Sequence, residues 1–350
     1  MRLKLLFFIL FLNIPLQDAQ SQAVTRMNAK AGLGTIIAHS SDLKPISQST
    51  PVGLNASWQW MGTAQKSWEV CHCFYYLGLE VFYYNFNNPS LLGSAAGVAG
   101  TFEPILWRRD PWTLSLASGI GFSYLNRVYD PQDNPENLFF SQPLSFLLFV
   151  APILEYRISS DWSAQVGLSY NHISNGGQKQ PNKGMNFPAI TVGASRYLSS
   201  RDLPRYEKFP VSTAWQYYVE AAFTTKSRDG GSGRGAVVSL AGEAFRAITG
   251  INALGAGMDV GKDYSLEQAQ NFWPTLTVAP FIAHHFTLGR IDFSQWMAYY
   301  LQKPDGHHDY RFYQRYVLRY KINNTLFAGV GLKAHGHVAE NIDVGLGWSF

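Results

Sequence analysis

Apolar side chains alternate one for one with polar or small ones along most of the chain. Trp162, Ala164, Val166, Leu168 and Tyr170 interleave with Ser163, Gln165, Gly167 and Ser169, the period of a strand with one apolar face. The rhythm resumes at Pro188, Ile190, Val192 and Ala194. It is clearest at the end, where Ile342, Val344, Leu346, Trp348 and Phe350 alternate with Asp343, Gly345, Gly347 and Ser349. About sixteen such segments are predicted, near 31–38, 52–61, 73–85, 93–107, 112–125, 144–157, 161–174, 186–198, 212–225, 235–248, 250–260, 274–286, 288–301, 309–321, 324–335 and 340–350.

The connections between them alternate in length. Arg108 to Pro111, Ser159-Ser160 and Asn323-Asn324 are short, whereas Val128 to Gln142, Lys226 to Gly235 and Lys262 to Phe272 are long. Bacterial barrels pair short periplasmic turns with longer external loops, which puts the loop from Asn175 to Met185 on the external side. After the N-terminal segment no stretch offers the roughly 18 continuous apolar residues of a membrane helix. The best, Phe146 to Leu154, is interrupted by Pro152. Unpaired backbone groups are not tolerated in a bilayer, so strands that cross one close into a barrel. The expected fold is therefore all-β, a transmembrane antiparallel β-barrel of the bacterial outer membrane with about 16 strands. The alternative is an eight-stranded barrel followed by a second barrel-like half. Tyr75, Tyr76, Tyr83, Tyr84, Tyr217, Tyr218, Tyr299 and Tyr300 lie near strand ends, as interfacial girdles do.

Composition agrees with a membrane setting. Charged residues make up 15% of the chain and aromatics another 15%, against about 25% charged in soluble domains. Arg2 and Lys4, the apolar run Leu5 to Leu12, and small residues at Ala19, Ser21 and Ala23 read as a secretory signal over residues 1–23, with the mature chain starting near Gln22 or Val24. Without Arg2, Lys4 and Asp18, 26 basic residues face 23 acidic ones, a net charge of +3. That excludes a nucleic-acid footprint. Residues 24–198 form the half that carries the candidate chemistry, 199–211 a junction with two prolines, and 212–350 the C-terminal half. The last strand, ending on Phe350, resembles the signature strand recognised by the barrel assembly machinery. Cys71 and Cys73, two apart, read as small apolar strand residues, because a bond between same-face neighbours is strained.

The candidate chemistry lies in Tyr170-Asn171-His172-Ile173-Ser174-Asn175-Gly176-Gly177 and the loop behind it. His172 and Ser174 continue the apolar parity of their strand, so a base sits beside a nucleophile on the lipid side. Residues i and i+2 of a strand are about 7 Å apart, and a bent strand end brings imidazole to hydroxyl. A hairpin brings Asn186, at the start of the next strand, to the same face and end. Two histidine groups, His284-His285 and His307-His308-Asp309, lack further ligands at a recognisable spacing, as do His335, His337 and Glu340, so no metal is expected. Val330-Gly331-Leu332 with His335 faintly repeats Val166-Gly167-Leu168 with His172, without the serine.

His172-x-Ser174-Asn175 with Asn182 and Gly184 resembles the outer-membrane lipid A 3-O-deacylases, eight-stranded barrels whose catalytic serine and histidine face the lipid. The resemblance covers roughly Ala31 to Leu198. It implies His172 as base, Ser174 as nucleophile and Asn182 in the oxyanion hole. Asn175, Lys179 and Lys183 would contact substrate, the lysines at lipid A phosphates. It implies an esterase removing an ester-linked acyl chain from lipid A of lipopolysaccharide, without a cofactor, among outer-membrane lipids. One departure is clear: Asn186 stands where the family has a glutamate that orients the histidine. A neutral amide still fixes the tautomer but stabilises imidazolium less. The outcomes are a slower enzyme, an acid supplied by Asp130, Asp133 or Glu136, or an inactive site. The competing reading is a non-catalytic barrel, either a porin, a structural protein or a lipopolysaccharide binder, with the motif as a rim hairpin.

Overall fold

The computed structural model describes residues 23–350 except 177, 200–201, 209, 229–232, 267–272, 274, 305–309 and 337. Most of the expected signal segment, and the His307-His308-Asp309 and His337 readings, fall outside the described residues. Sixteen strands are present among the described residues. They are β1 (Ala23–Gly34), β2 (Val52–Gly62), β3 (Tyr75–Asn85), β4 (Ser94–Arg109), β5 (Trp112–Leu125), β6 (Leu144–Arg157), β7 (Trp162–Ser174), β8 (Met185–Tyr197), β9 (Trp215–Ser227), β10 (Arg234–Ala247), β11 (Asn252–Asp263), β12 (Leu276–Leu288), β13 (Ile291–Tyr299), β14 (Phe312–Lys321), β15 (Leu326–His335) and β16 (Val338–Ser349).

They close into two rings of eight, not one of sixteen. The reason is visible at β1, which pairs antiparallel with β8 from Arg26↔Tyr197 to Gly34↔Ala189. That pairing uses the edge that β9 would need to continue the sheet. In turn β9 closes the second ring against β16, with Val344 opposite Phe223 and Ser349 opposite Tyr218. β1 starts earlier than the expected 31–38, over a stretch whose outward positions include Thr25 and Ala29, neither a large apolar residue. The apolar alternation there is correspondingly faint.

Outward faces are apolar and inward ones largely polar, inverted from a soluble barrel, as a lipid surround demands. Leu168, Ile190, Val192, Val344 and Leu346 all point out and are exposed. Inside the first ring Arg26 pairs with Glu103 at 2.7 Å and Glu155 at 2.8 Å, and takes Gln59 Oε1 at 2.7 Å. Inside the second, Arg315 meets Asp343 at 2.7 Å and Arg319 meets Glu220 at 2.6 Å. His285 bridges Glu243 (2.6 Å) and Asp292 (3.0 Å). An eight-stranded ring encloses only enough room for side chains, so these pairs fill the lumen. Ser115 Oγ donates to Glu103 at 2.6 Å. Ser115→Ala should lower unfolding stability by about 1.5 kcal/mol, the worth of a buried hydrogen bond to a charged group. Urea titration of the heat-modifiable band checks this.

At one end of the first ring the interior turns apolar. Phe86, Phe139, Phe140, Ile173, Met185 and Phe187 pack there, all fully buried. Three expectations change. Of each tyrosine pair at 83–84, 217–218 and 299–300 only the first faces outward, since neighbours on a strand point opposite ways. Cys71 and Cys73 form a disulfide and lie beyond a short helix, α1 (Gln65–Glu69), not on a strand. His72 between them has φ +52°, and this bend brings the two Cα atoms to 5.1 Å, closer than strand spacing allows. His335 points inward to Tyr300 Oη at 3.1 Å. It lies an odd number of residues beyond the outward Val330, whereas His172 lies an even number beyond Val166.

Candidate active site

Register places the site. His172 stands directly opposite Asn186 on β8 and opposite Leu148 on β6, and Ser174 stands opposite Phe146. All share the outward face of Leu168 and Tyr170. At this rim the strand leans enough for the side chains to meet: Ser174 Oγ lies 2.9 Å from His172 Nε2, and His172 Nδ1 lies 2.7 Å from Asn186 Oδ1. An amide oxygen only accepts, so Nδ1 carries the proton and Nε2 presents its lone pair to the serine hydroxyl. Both ring nitrogens are thereby taken. Asp130, Asp133 and Glu136 are left without a place on His172, and Asp130 instead caps its own turn, accepting from the N–H groups of Gln132 (2.8 Å) and Asp133 (2.9 Å). Those two bonds hold its carboxyl below the usual range.

The loop after Ser174 is folded back on itself. Asn175 N–H donates to Asn182 Oδ1 at 3.0 Å, which leaves the Nδ2 amide of Asn182 as its donating end. The Asn175 side chain is buried and gives its Nδ2 protons to Ser141 Oγ (3.0 Å) and Lys179 O (2.8 Å). It braces the loop, so its amide is engaged within the protein where a substrate contact was expected. Lys179 offers its carbonyl to this bracing while its side chain is exposed. Lys183 is ion-paired with Asp42, and its carbonyl accepts from His39 Nε2 at 3.0 Å. The Lys183 ammonium and the Ser40 hydroxyl pull the Asp42 carboxyl down to about 2. The pair is therefore fully formed above the ordinary aspartate range and is lost only as pH falls toward about 2. Met185 and Phe187 are interior residues.

Several of these supports were not found in the sequence. The long loop between β5 and β6 grips the site loop through its backbone, Lys183 N–H to Leu138 O at 3.1 Å and Gly184 N–H to Phe139 O at 3.3 Å. The β1–β2 loop adds His39, Ser40 and Asp42. Only an aromatic pair, Phe139-Phe140, flags the first of these loops as more than solvent-facing.

Residues 52–195 match the family model described as lipid A 3-O-deacylase, and residues 191–350 match the one described as acyloxyacyl hydrolase, C-terminal domain. The chain belongs to the lipid A 3-O-deacylase family. The second barrel, which the motif left unexplained, thus carries a family description of its own. Among solved structures, the outer membrane enzyme PagL is 18% identical, with 47% of this chain and 97% of that one covered at a TM-score of 0.36. Neisserial surface protein A is 11% identical, covering 49% and 96% at 0.35. A Rhodopseudomonas blastica porin variant is 7% identical, covering 94% and 100% at 0.20. No curated protein matches the chain.

Within this deacylase-family site Gly184 has a particular role. Its φ is +68°, and a Cβ there would lie 2.9 Å from His172 Cε1 and 3.2 Å from Ser174 Cβ. Gly184→Ala therefore strains the backbone and pushes the imidazole. Such a strained alanine costs about 1–2 kcal/mol, and displacement of the base should lower turnover about tenfold with the barrel still folded. Heat-modifiability beside turnover per folded molecule checks both.

Proposed function

We propose that the protein is an outer-membrane esterase that removes the 3-O-linked acyl chain from lipid A, and that residues 24–198 carry the activity. The observation that supports this most strongly is the unbroken hydrogen-bond chain from Asn186 through His172 to Ser174, on the face of the barrel that meets lipid. A site inside the lumen would require the substrate to leave its leaflet; this one does not.

Ser174 Oγ attacks the ester carbonyl as its proton passes to His172 Nε2. The carbonyl oxygen becomes an oxyanion, stabilised by the Asn182 Nδ2 amide, whose other end is pinned by Asn175. Collapse expels the sugar 3-hydroxyl, which takes the proton back from His172. Water, deprotonated by the same nitrogen, then cleaves the acyl-serine, releasing the fatty acid and restoring Ser174. Asn186 holds the tautomer throughout but, being neutral, stabilises the imidazolium less than a carboxylate does. Phe146 and Leu148, beside Ser174 and His172, supply apolar contact for the acyl chain. The porin reading is disfavoured, because the described side chains of both lumens are packed with ion pairs.

The test is incubation of detergent-purified protein with lipid A. The expected product is lipid A lighter by one 3-hydroxyacyl chain, with the matching free 3-hydroxy fatty acid. Retention of lipid A without mass change would favour a passive binder instead.

A further inference from the structure

The second barrel has no His-x-Ser pair, yet it reaches the first barrel's site. Ile342, near the start of β16, points outward and lies against Gly176, two residues beyond Ser174. A Cβ on Gly176 would overlap Ile342 Cδ1, lie 3.2 Å from Cγ1, and lie 3.9 Å from Phe146 Cε2. Gly176 is buried, its φ is +66°, and it sits between a first-barrel phenylalanine and a second-barrel isoleucine. Along the same face of β16, Val344, Leu346 and Trp348 are each about half exposed, at 47%, 53% and 48%. Ile342 is more covered than these, which marks it as the contact point.

The barrels also meet at their other ends. The β10–β11 turn brings Gly250 against His72, inside the Cys71–Cys73 disulfide loop, and the β12–β13 turn brings Gly289 against Val70, just before it. Each contact joins like ends of the two barrels. They therefore stand side by side in one sense, with the long-loop end of β16 beside the site.

We propose that Ile342 is a positioning residue for the first barrel's site, acting through Gly176 on the oxyanion donor. This rests on the esterase reading above. The route is short and each link is a contact: Ile342 packs on Gly176, the adjoining Asn175 N–H holds Asn182 Oδ1, and that bond aims Asn182 Nδ2. Glycine at 176 is needed twice over, for the positive φ and for the space the isoleucine fills. The second barrel thus completes the site without contributing a reacting group.

Kinetics of the full-length protein on lipid A test this, per folded molecule counted by heat-modifiability. Ile342→Ala should lower kcat about tenfold and leave KM within about twofold, since the residue orients a donor rather than binding acyl chain. Ile342→Leu, which restores a methyl at the same reach, should recover most of the loss. Val344→Ala, on the same face, should change nothing. In an Asn182→Ala background Ile342→Ala should cost nothing further, because the route ends at that amide. An active protein whose kcat ignores Ile342→Ala, or loses the same factor with and without Asn182, overturns the proposal. A wild type that cleaves no lipid A overturns the esterase reading and this proposal together, and wild type alone reveals that outcome.

Discussion

Ser174→Ala and His172→Ala should each lower lipid A deacylation by about 10³-fold or more, the scale at which a nucleophile and its base act as one unit. The double variant should be little worse than either single one for the same reason. Neither change should disturb folding. Both side chains sit on the outer face at the rim, bonded to each other and to Asn186, and neither takes part in the ion pairs inside the barrel. Barrel content by heat-modifiability should match wild type while product falls to background. A structural rim hairpin would show no such separation of fold from turnover.

The second large effect concerns Asn186. Its Oδ1 receives the Nδ1 proton at 2.7 Å, so it already sets the tautomer. Asn186→Leu removes that acceptor and lets the ring turn or take the other tautomer, which should cost about 10²-fold in kcat. Asn186→Glu adds what the amide lacks, a negative charge beside the developing imidazolium. It should raise kcat by about tenfold. The sign with pH follows from the carboxyl itself. The gain is present when the glutamate is ionised and disappears as it is protonated at low pH. The pH profile of Asn186→Glu divided by that of wild type isolates this, since changes common to both proteins cancel.

Strand parity made much of the site legible. Once Trp162 to Tyr170 fixes the apolar face, His172 and Ser174 must share it, and a hairpin leaves Asn186 as the partner that β8 presents. The observed register sets His172 against Asn186. Ring closure was not legible, because the alternation is the same in one ring of sixteen or two of eight. The β1–β8 pairing decides it, and no local pattern encodes which distant edge a strand will find. The first half of β1 is faint because its outward face carries Thr25 and Ala29 beside Met27, while its inward Arg26 finds its partners Glu103 and Glu155 only across the closed lumen.

The loops were the least readable part. Lys183 reads as a free phosphate ligand until the β1–β2 loop supplies Asp42, and Asn175 as a substrate contact until Ser141 and Lys179 claim its amide. Backbone bonds such as Gly184 N–H to Phe139 O carry no residue signature. The disulfide is not legible in the spacing of Cys71 and Cys73, because only the left-handed residue between them brings the two together.

The most direct measurement is mass spectrometry of lipid A incubated side by side with purified wild type and Ser174→Ala. Loss of a single 3-hydroxyacyl chain with wild type alone is the result predicted for a lipid-facing Ser174–His172–Asn186 esterase. Equal loss with Ser174→Ala, or no loss with either protein across lipid A from several sources, would contradict it.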